Sequence, residues 1–270
     1  MRLPDHGSIG VFDSGVGGLT VLRALMERLP SESTVYLGDT ARVPYGTKSA
    51  EVVVRYSLGN ARFLLERGIK LLVVACNTAS AVGLDALRAE LDIPVLGVIE
   101  PGAIAAAART RTKRVGVIGT PGTIRSGAYQ RALEATVPGA FIRARACPLF
   151  VPLAEEGWTR GEVPTQVARE YLGELSQAGV DTLILGCTHY PLLREAIGEV
   201  MGPNVALVDS AEACAAAVAS ELESRGELAA GRTPEHTFFV TDVPDRFLDV
   251  GARFLGRPID KAEQVDIRPA

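Results

Sequence analysis

The chain has 270 residues, a formal net charge of −4, and 47% apolar and 22% charged residues. This composition predicts a soluble globular protein, and the absence of a basic balance predicts no general nucleic-acid partner. The four cysteines are too few for a disulfide framework in so long a chain, and no C-x-x-C pair indicates a zinc site. We therefore expect no bound metal.

The sequence also predicts the compartment of the protein. Residues 1–7 lack the apolar stretch of a signal peptide, and no run approaches the roughly 18–20 apolar residues of a membrane helix. We therefore expect a cytoplasmic protein without a membrane partner. Thiols stay reduced in that compartment and are available for catalysis.

Short apolar runs alternate with stretches of helical spacing along the chain. In chain order, the predicted strands comprise residues 8–12, 34–37, 70–75, 95–98, 114–118, 141–146, 181–185 and 205–208. The alternation predicts an α/β fold with parallel sheets. Beyond the last of these strands we predict a helix over 211–225, a strand over 237–241 and a helix near 247–254.

The chain repeats itself at an interval of about 110 residues. Residues 8–14 resemble 114–120, the run ending at Cys76 resembles the run ending at Cys187, and residues 98–101 resemble 207–210. These intervals predict two similar three-layer α/β lobes, related by pseudo-twofold symmetry, with the active site in the cleft between them. We predict that residues 1–97 form the first lobe and residues 98–209 the second, and residues beyond 209 belong to neither repeat.

Two cysteines occupy matching positions in the two repeats. Cys76 and Cys187 each follow a predicted buried strand and directly precede small polar residues and a helix. Open α/β sheets carry their chemistry at this end of the strands, and a nearby helix amino terminus lowers the pKa of a thiol toward neutrality. We therefore expect two reactive thiols in one cleft, with Asn77, Thr78 and Thr188 able to hold a carboxylate.

Two further loops follow predicted strands and carry polar residues. Residues 13–18 (DSGVGG) contain glycines that let backbone N–H groups approach an anion, but they do not match the dinucleotide fingerprint. The alternative is that Asp13 or Ser14 merely caps the following helix. Residues 39–46 (DTARVPYG) predict either a ligand-contacting loop or an ordinary Pro-Tyr-Gly turn.

The remaining candidates for acid/base chemistry are in the second lobe. His189 can tune Cys187 or carry a proton, or it can be a packing or capping residue. Glu155 and Glu156 can supply an acid, or they can be a solvated helix start. The other two cysteines, at positions 147 and 214, are interpreted as small buried hydrophobic residues.

Six motifs closely resemble those of the glutamate racemase family. They comprise residues 11–19 (VFDSGVGGL), 39–46 (DTARVPYG), 75–80 (ACNTAS), 147–153 (CPLFVPL), 186–191 (GCTHYP) and 208–210 (VDS). The resemblance runs from about residue 9 to residue 219, in the order and spacing of the family. It also implies that the tail, residues 210–270, returns to the first lobe, and that the protein is a homodimer.

The resemblance implies an isomerase that interconverts L- and D-glutamate without a cofactor and supplies D-glutamate for peptidoglycan, and hence for cell wall biogenesis and cell shape. It implies that Cys187 removes the proton from L-glutamate and Cys76 the proton from D-glutamate. Asp13 is implied to assist Cys76, and His189 with Glu155 to assist Cys187. The implied substrate-binding residues are Asp13, Ser14, Tyr45, Gly46, Asn77, Thr78, Thr120, Thr123, Thr188 and His189.

Other functions are compatible with parts of this pattern. A sister racemase acting on aspartate or hydantoins would share the scaffold, and a decarboxylase would need only one of the two thiols. A two-lobed binding protein for an acidic metabolite would explain the cleft but leave the thiols unused. Relatives that are activated by a cell-wall precursor carry a long amino-terminal extension. In this sequence the first predicted strand already begins at residue 8, so we expect no such activation.

Overall fold

The strands form two parallel sheets in the computed structural model, which describes residues 7–231 and 233–267. The first sheet contains β1 (Ser8–Asp13), β2 (Thr34–Gly38), β3 (Ile69–Val74), β4 (Val95–Gly97), β9 (His236–Val240) and β10 (Glu263–Gln264), in the order β10-β9-β2-β1-β3-β4. The second contains β5 (Arg114–Gly119), β6 (Phe141–Ala146), β7 (Thr182–Gly186) and β8 (Ala206–Asp209), in the order β6-β5-β7-β8.

Helices connect the parallel strands. They are α1 (Leu19–Arg28), α2 (Ala50–Leu65), α3 (Asn77–Glu90), α4 (Ile99–Arg109), α5 (Pro121–Ser126), α6 (Ala128–Thr136), α7 (Phe150–Glu155), α8 (Glu162–Gln177), α9 (Arg194–Met201), α10 (Ser210–Ser224) and α11 (Pro244–Leu255). Single 3₁₀ turns at Thr40–Arg42, Tyr45–Thr47 and Tyr190–Leu193 follow β2 and β7. Parallel neighbours require such crossover connections, which cover both faces of a sheet.

The predicted α/β fold with two lobes is confirmed. Every predicted strand is present, with ends that differ by at most one residue. Val98 lies at the amino terminus of α4 rather than in β4. Strand β10 was not predicted, because two exposed residues carry no recognisable pattern. The signal-peptide interpretation rests largely on residues 1–6, which lie outside the described residues.

The chain passes between the sheets twice. Helix α4 leads from β4 of the first sheet to β5 of the second, and α10 leads back from β8. Strand β9 then pairs in parallel with β2, so the tail contributes to the first sheet. The bounds proposed for the domains, after residues 97 and 209, stay a prediction.

Apolar side chains on alternate faces of the strands hold the layers together. In β1, Ile9 and Val11 contact α1 and the interior shared by both lobes, whereas Phe12 faces a separate cluster under α2 and α3. The shared cluster extends from Leu22 in α1 to Leu172 in α8. Burying one such side chain stabilises the fold by about 1.5–3 kcal/mol, so the interior fixes the lobes against each other. Among the described residues, no helix is both long and apolar enough to span a bilayer.

Candidate active site

Loops at the carboxyl ends of the strands of both sheets meet in one region. Gly17, after β1, lies so close to the loop after β7 that a Cβ atom would overlap Thr188 and lie 2.5 Å from Nδ1 of His189. Gly46, after β2, lies equally close to the loop after β5, where a Cβ would be 2.6 Å from Cβ of Thr120. Glycine is therefore required at these two contacts between the lobes.

We expect the Gly17→Ala variant to lower kcat/KM by about 10²-fold, because an added methyl group must displace His189 or separate the loops. The matched control is Gly15→Ala in the same loop, where the added Cβ would meet only Cγ2 of Val43, at 3.6 Å. Steady-state kinetics of both variants test this prediction. Equal losses of activity in the two variants would contradict it.

Cys76 is buried at the amino terminus of α3, directly after β3. Its Sγ atom lies 3.7 Å from Oγ of Ser14, in the loop after β1. Burial, with the nearby charge of Asp13, raises the pKa of this thiol from 9.0 to about 12, although Ala79 and Ser14 act in the opposite direction. The expectation that the helix terminus lowers this pKa is therefore wrong for Cys76. Desolvation outweighs the helix terminus, so the thiol carries its proton at neutral pH.

Asp13 is buried beside Cys76 and carries an incompletely paired carboxyl group. Its Oδ2 atom accepts a hydrogen bond from the backbone N–H of Gly15, at 3.0 Å, while Oδ1 has no partner among the described residues. Burial raises the pKa of Asp13, against the effects of His189 and the loop N–H groups. Asp13 and Ser14 do not cap α1, whose first turn follows Gly18 without a side-chain cap. The interpretation of Asp13 as a helix cap is wrong, and its Oδ1 retains the capacity to accept a hydrogen bond.

Cys187 begins a chain of three polar side chains. Its Sγ atom lies 3.8 Å from Nδ1 of His189, and Nε2 of His189 lies 3.1 Å from Oε1 of Glu155. Burial lowers the pKa of His189, but its bonds to Cys187 and Glu155 outweigh burial and raise that pKa from 6.5 to about 10. The bond to His189 lowers the pKa of Glu155. The protonated imidazolium, between Cys187 and the Glu155 carboxylate, is thus the favoured state of His189.

The raised pKa of His189 predicts a pH-dependent stability. Because the folded value exceeds the unfolded value of 6.5, the contribution of protonated His189 is complete below pH 6.5 and is lost as the pH rises through about 10. We expect the difference in unfolding free energy between the wild type and His189→Gln to fall between these pH values. Urea denaturation of both proteins across this range measures it. A difference that stays constant with pH would refute the prediction.

Glu155 and Glu156 occupy different environments, which decides between the two candidates. Glu155 is the last residue of α7, not a helix start, and its Oε2 atom lies 3.3 Å from the guanidinium of Arg246. Its carbonyl oxygen accepts a bond from Arg253 at 2.9 Å. Glu156 is exposed and contacts only Arg246, at 3.6 Å, among the described charged residues. Glu155 is therefore the acid that contacts His189.

These two neighbours form a natural pair of variants. We expect Glu155→Gln to lower kcat/KM by roughly 10–100-fold, because a hydrogen bond between charged groups is lost. Glu156→Gln removes the same charge one residue away and is expected to change kcat/KM by less than about twofold, since exposed ion pairs contribute little. Steady-state kinetics of both variants decide. A larger loss of kcat/KM in Glu156→Gln than in Glu155→Gln would contradict the assignment of Glu155 as the acid that assists His189.

A network of buried groups surrounds Tyr45. Its hydroxyl donates a short hydrogen bond to Asp39, and Asn60 donates to the Tyr45 oxygen at 3.1 Å. Arg42 pairs with the other oxygen of Asp39 at 2.8 Å. Burial and the charge of Asp39 raise the pKa of Tyr45, so its proton stays in this network. The loop after β2 is therefore held rigidly from within, with Gly46 against the second lobe.

Three threonine hydroxyls meet where the lobes face each other. Oγ1 of Thr78 lies 2.9 Å from that of Thr120 and 3.2 Å from that of Thr123, and the latter two are 3.0 Å apart. Thr78 lies in the first turn of α3, and Thr120 caps α5. Hydroxyls at two helix amino termini favour an anionic ligand such as a carboxylate.

Asn77 and Thr188 directly follow the two thiols. Oδ1 of Asn77 accepts a hydrogen bond from the hydroxyl of Tyr129, at 2.6 Å. Oγ1 of Thr188 lies 3.4 Å from Nδ1 of His189, and its carbonyl oxygen accepts a bond from Thr20. The predicted site residues thus lie in the loops and first helical turns at the carboxyl ends of the strands, except Glu155, which is the last residue of α7. Their roles toward a substrate stay predictions.

Comparisons with known proteins agree with this arrangement. The model of the Asp/Glu/hydantoin racemase family matches residues 9–218. A glutamate racemase of Geobacter metallireducens is 60% identical over 262 residues, which cover 96% of this chain and 97% of that protein. The crystal structure of glutamate racemase isoform RacE1 from Bacillus anthracis has a TM-score of 0.94 and 42% identity, with 97% and 98% of the two chains covered.

A second solved structure extends the comparison to a protein with a ligand. The glutamate racemase of Francisella tularensis, crystallised in complex with D-glutamate, has a TM-score of 0.91 and 38% identity, and covers 97% of this chain and 98% of its own. Sequence and structure therefore agree over nearly the whole length. The chain belongs to the Asp/Glu/hydantoin racemase family and is an amino-acid racemase.

Proposed function

We propose that the protein interconverts L- and D-glutamate without a cofactor, by proton transfer between the substrate and two thiols. The observation that carries this proposal is the pair of buried cysteines, one at the end of β3 and one at the end of β7, each with its own acid/base partner. Inversion at a carbon requires removal of a proton from one face and its return to the other. Two acid/base groups from different lobes suit that requirement.

In the L to D direction, Cys187 is the base and Cys76 is the acid. The Cys187 thiolate, paired with the His189 imidazolium, takes the α-proton and leaves a carbanion. The Cys76 thiol then gives its proton to the opposite face and becomes a thiolate. The high pKa of Cys76 supports this assignment, because the thiol is protonated before substrate binds. The reverse reaction exchanges the two roles.

The carbanion needs stabilisation because an amino-acid α-proton is weakly acidic. In our proposal, hydrogen bonds to the substrate carboxylate from Asn77, Thr78 and Thr188 delocalise the negative charge. Each of these side chains is less than 10% exposed. Such burial strengthens each hydrogen bond, because little water competes for it. Asp13 assists Cys76 through its unpaired Oδ1 oxygen, and Glu155 assists Cys187 through His189.

Glutamate is the proposed substrate on two grounds. The most similar relatives described above carry the name glutamate racemase, and one of them binds D-glutamate in its crystal structure. The hydroxyls of Thr120 and Thr123, 3.0 Å apart at the contact between the lobes, also suit the second carboxylate of a dicarboxylate substrate. We further propose that the product supplies D-glutamate for peptidoglycan in the cytoplasm and that the protein acts as a homodimer.

Circular dichroism of glutamate tests the proposed function. The purified protein, with no added cofactor, is incubated separately with L- and D-glutamate, and the ellipticity of each solution should decay to zero. Parallel samples with L- and D-aspartate test a sister racemase. In D₂O, a binding protein would leave the α-hydrogen of glutamate unexchanged, and that result would refute the proposal.

A further inference from the structure

We propose that Tyr129 is a positioning residue that sets the orientation of the Asn77 side-chain amide toward the substrate. This inference rests on the proposed function. Tyr129 lies in α6 of the second lobe, whereas Asn77 lies in the first turn of α3, directly after Cys76. None of the sequence motifs contains Tyr129, and the mechanism above does not use it.

The hydroxyl of Tyr129 has two polar neighbours. It donates to Oδ1 of Asn77 at 2.6 Å, and it lies 3.1 Å from Oγ of Ser210. A phenol has one proton, so a hydroxyl that donates to Asn77 must accept from Ser210. Burial raises the pKa of Tyr129, which keeps that proton in place. Tyr129 and Asn77 are 1% and 4% exposed, so water does not replace these bonds.

This bond decides which end of the amide the substrate meets. With Oδ1 of Asn77 held by Tyr129, the Nδ2 group lies on the opposite side of the amide, and it makes no hydrogen bond to the residues described. A carboxylate accepts from N–H groups and is repelled by a carbonyl oxygen. Without the hydroxyl, the amide torsion has two nearly equivalent orientations, and one of them presents the wrong atom.

The ring of Tyr129 also contacts the strand end that precedes the other thiol. A Cβ on Gly186, the residue before Cys187, would lie 2.9 Å from Cε2 of Tyr129. At the opposite edge of the ring, a Cβ on Gly102 would lie 2.5 Å from Oγ of Ser210 and 3.5 Å from Cε1 of Tyr129. Tyr129 is thus packed between the two segments that carry the thiols, which explains how a residue of the second lobe can orient a group of the first.

The Tyr129→Phe variant tests the inference because it keeps the ring and removes only the hydroxyl. We expect KM for L- and D-glutamate to rise about tenfold and kcat to fall by up to about tenfold, because the same amide binds the substrate carboxylate and stabilises the carbanion. The matched control is Tyr171→Phe, which removes a tyrosine hydroxyl of the same lobe that accepts from the N–H of Leu149. Its KM should stay within about twofold of the wild type.

A double-mutant cycle separates positioning from general structural damage. In an Asn77→Ala background, Tyr129→Phe should change KM by less than about twofold, because the group that Tyr129 orients is gone. An undiminished effect in that background, or a wild-type KM in Tyr129→Phe alone, would overturn the inference while leaving the proposed function intact. Failure of the wild-type protein to racemise glutamate would overturn both. Thermal unfolding of each variant confirms that the fold is retained.

Discussion

Replacing either Cys76 or Cys187 by alanine is expected to lower kcat/KM for glutamate racemisation by about 10⁴-fold. Each reaction direction needs one thiol to remove the proton and the other to return it, so neither variant can complete an inversion. Both side chains are small and buried, and we expect the variants to keep the fold. Optical rotation or circular dichroism of the substrate measures the loss. Racemisation near the wild-type rate in either variant would exclude the two-thiol mechanism.

A sharper result is expected from hydrogen exchange in D₂O. The Cys76→Ala variant retains Cys187, which can remove the α-proton of L-glutamate and return a deuteron to the same face. This variant should exchange L-glutamate without inverting it and should leave D-glutamate untouched. Cys187→Ala should show the opposite selectivity. The loss of the α-proton signal in NMR spectra measures the exchange of each enantiomer. Exchange of both enantiomers by one variant would contradict the assignment of each thiol to one face of the substrate.

Cys214 provides the matched control for these variants. It is fully buried, and burial raises its pKa to about 12, but its sulfur lies 4.0 Å from the carbonyl oxygen of Gly97 and makes no hydrogen bond to Asp13, His189 or either proposed catalytic thiol among the described residues. Cys214→Ala therefore removes an equally buried thiol from outside the site. We expect its kcat/KM to remain within about threefold of the wild type. A loss comparable to that of Cys76→Ala would show that buried thiols matter here for packing rather than for chemistry.

Local sequence patterns predict nine of the ten described strands and most of the residues of the candidate site. Buried parallel strands produce uninterrupted apolar runs, which is why β3 and β7 were recognised together with the cysteines that follow them. The internal repeat pairs Cys76 with Cys187 from the sequence alone. Short motifs carry such information well, because each residue is positioned by its own strand end.

Long-range partners could not be predicted in this way. Arg246 contacts Glu155 across 91 residues, and Tyr129 contacts Asn77 across 52, and neither belongs to a recognisable motif. An arginine on an amphipathic helix such as α11 has the pattern of a solvated charge. Only the packing of the tail against the second lobe brings Arg246 to Glu155.

The pKa of Cys76 shows a second limit of the sequence. A thiol at a helix amino terminus predicts a lowered pKa, but the sequence does not reveal how completely the site is desolvated or that Asp13 lies beside the sulfur. These two effects exceed that of the helix terminus and reverse the sign of the shift. The two thiols are asymmetric in their charged neighbours, which are an acid for Cys76 and an imidazolium for Cys187.

That asymmetry leads to a prediction for the Asp13→Asn and His189→Gln variants. Because enantiomers have equal free energy in water, the equilibrium constant is one, and any variant must lower kcat/KM equally in the two directions. We expect a decrease of about 10²–10⁴-fold for each variant. The rates alone cannot show which proton transfer is impaired. Substrate isotope effects can, because each labelled enantiomer reports on one thiol.

The two variants should give mirror-image isotope effects on kcat/KM. If Asp13 assists Cys76, proton transfer at Cys76 becomes rate-limiting in Asp13→Asn. The isotope effect on kcat/KM then rises for α-deuterated D-glutamate and falls toward one for α-deuterated L-glutamate. His189→Gln impairs transfer at Cys187, and the two effects should exchange. The same pattern in both variants would mean that Asp13 and His189 act on a common step, such as closure of the lobes. Opposite patterns would require a separate partner for each thiol, as the unpaired Oδ1 of Asp13 and the His189–Glu155 pair suggest.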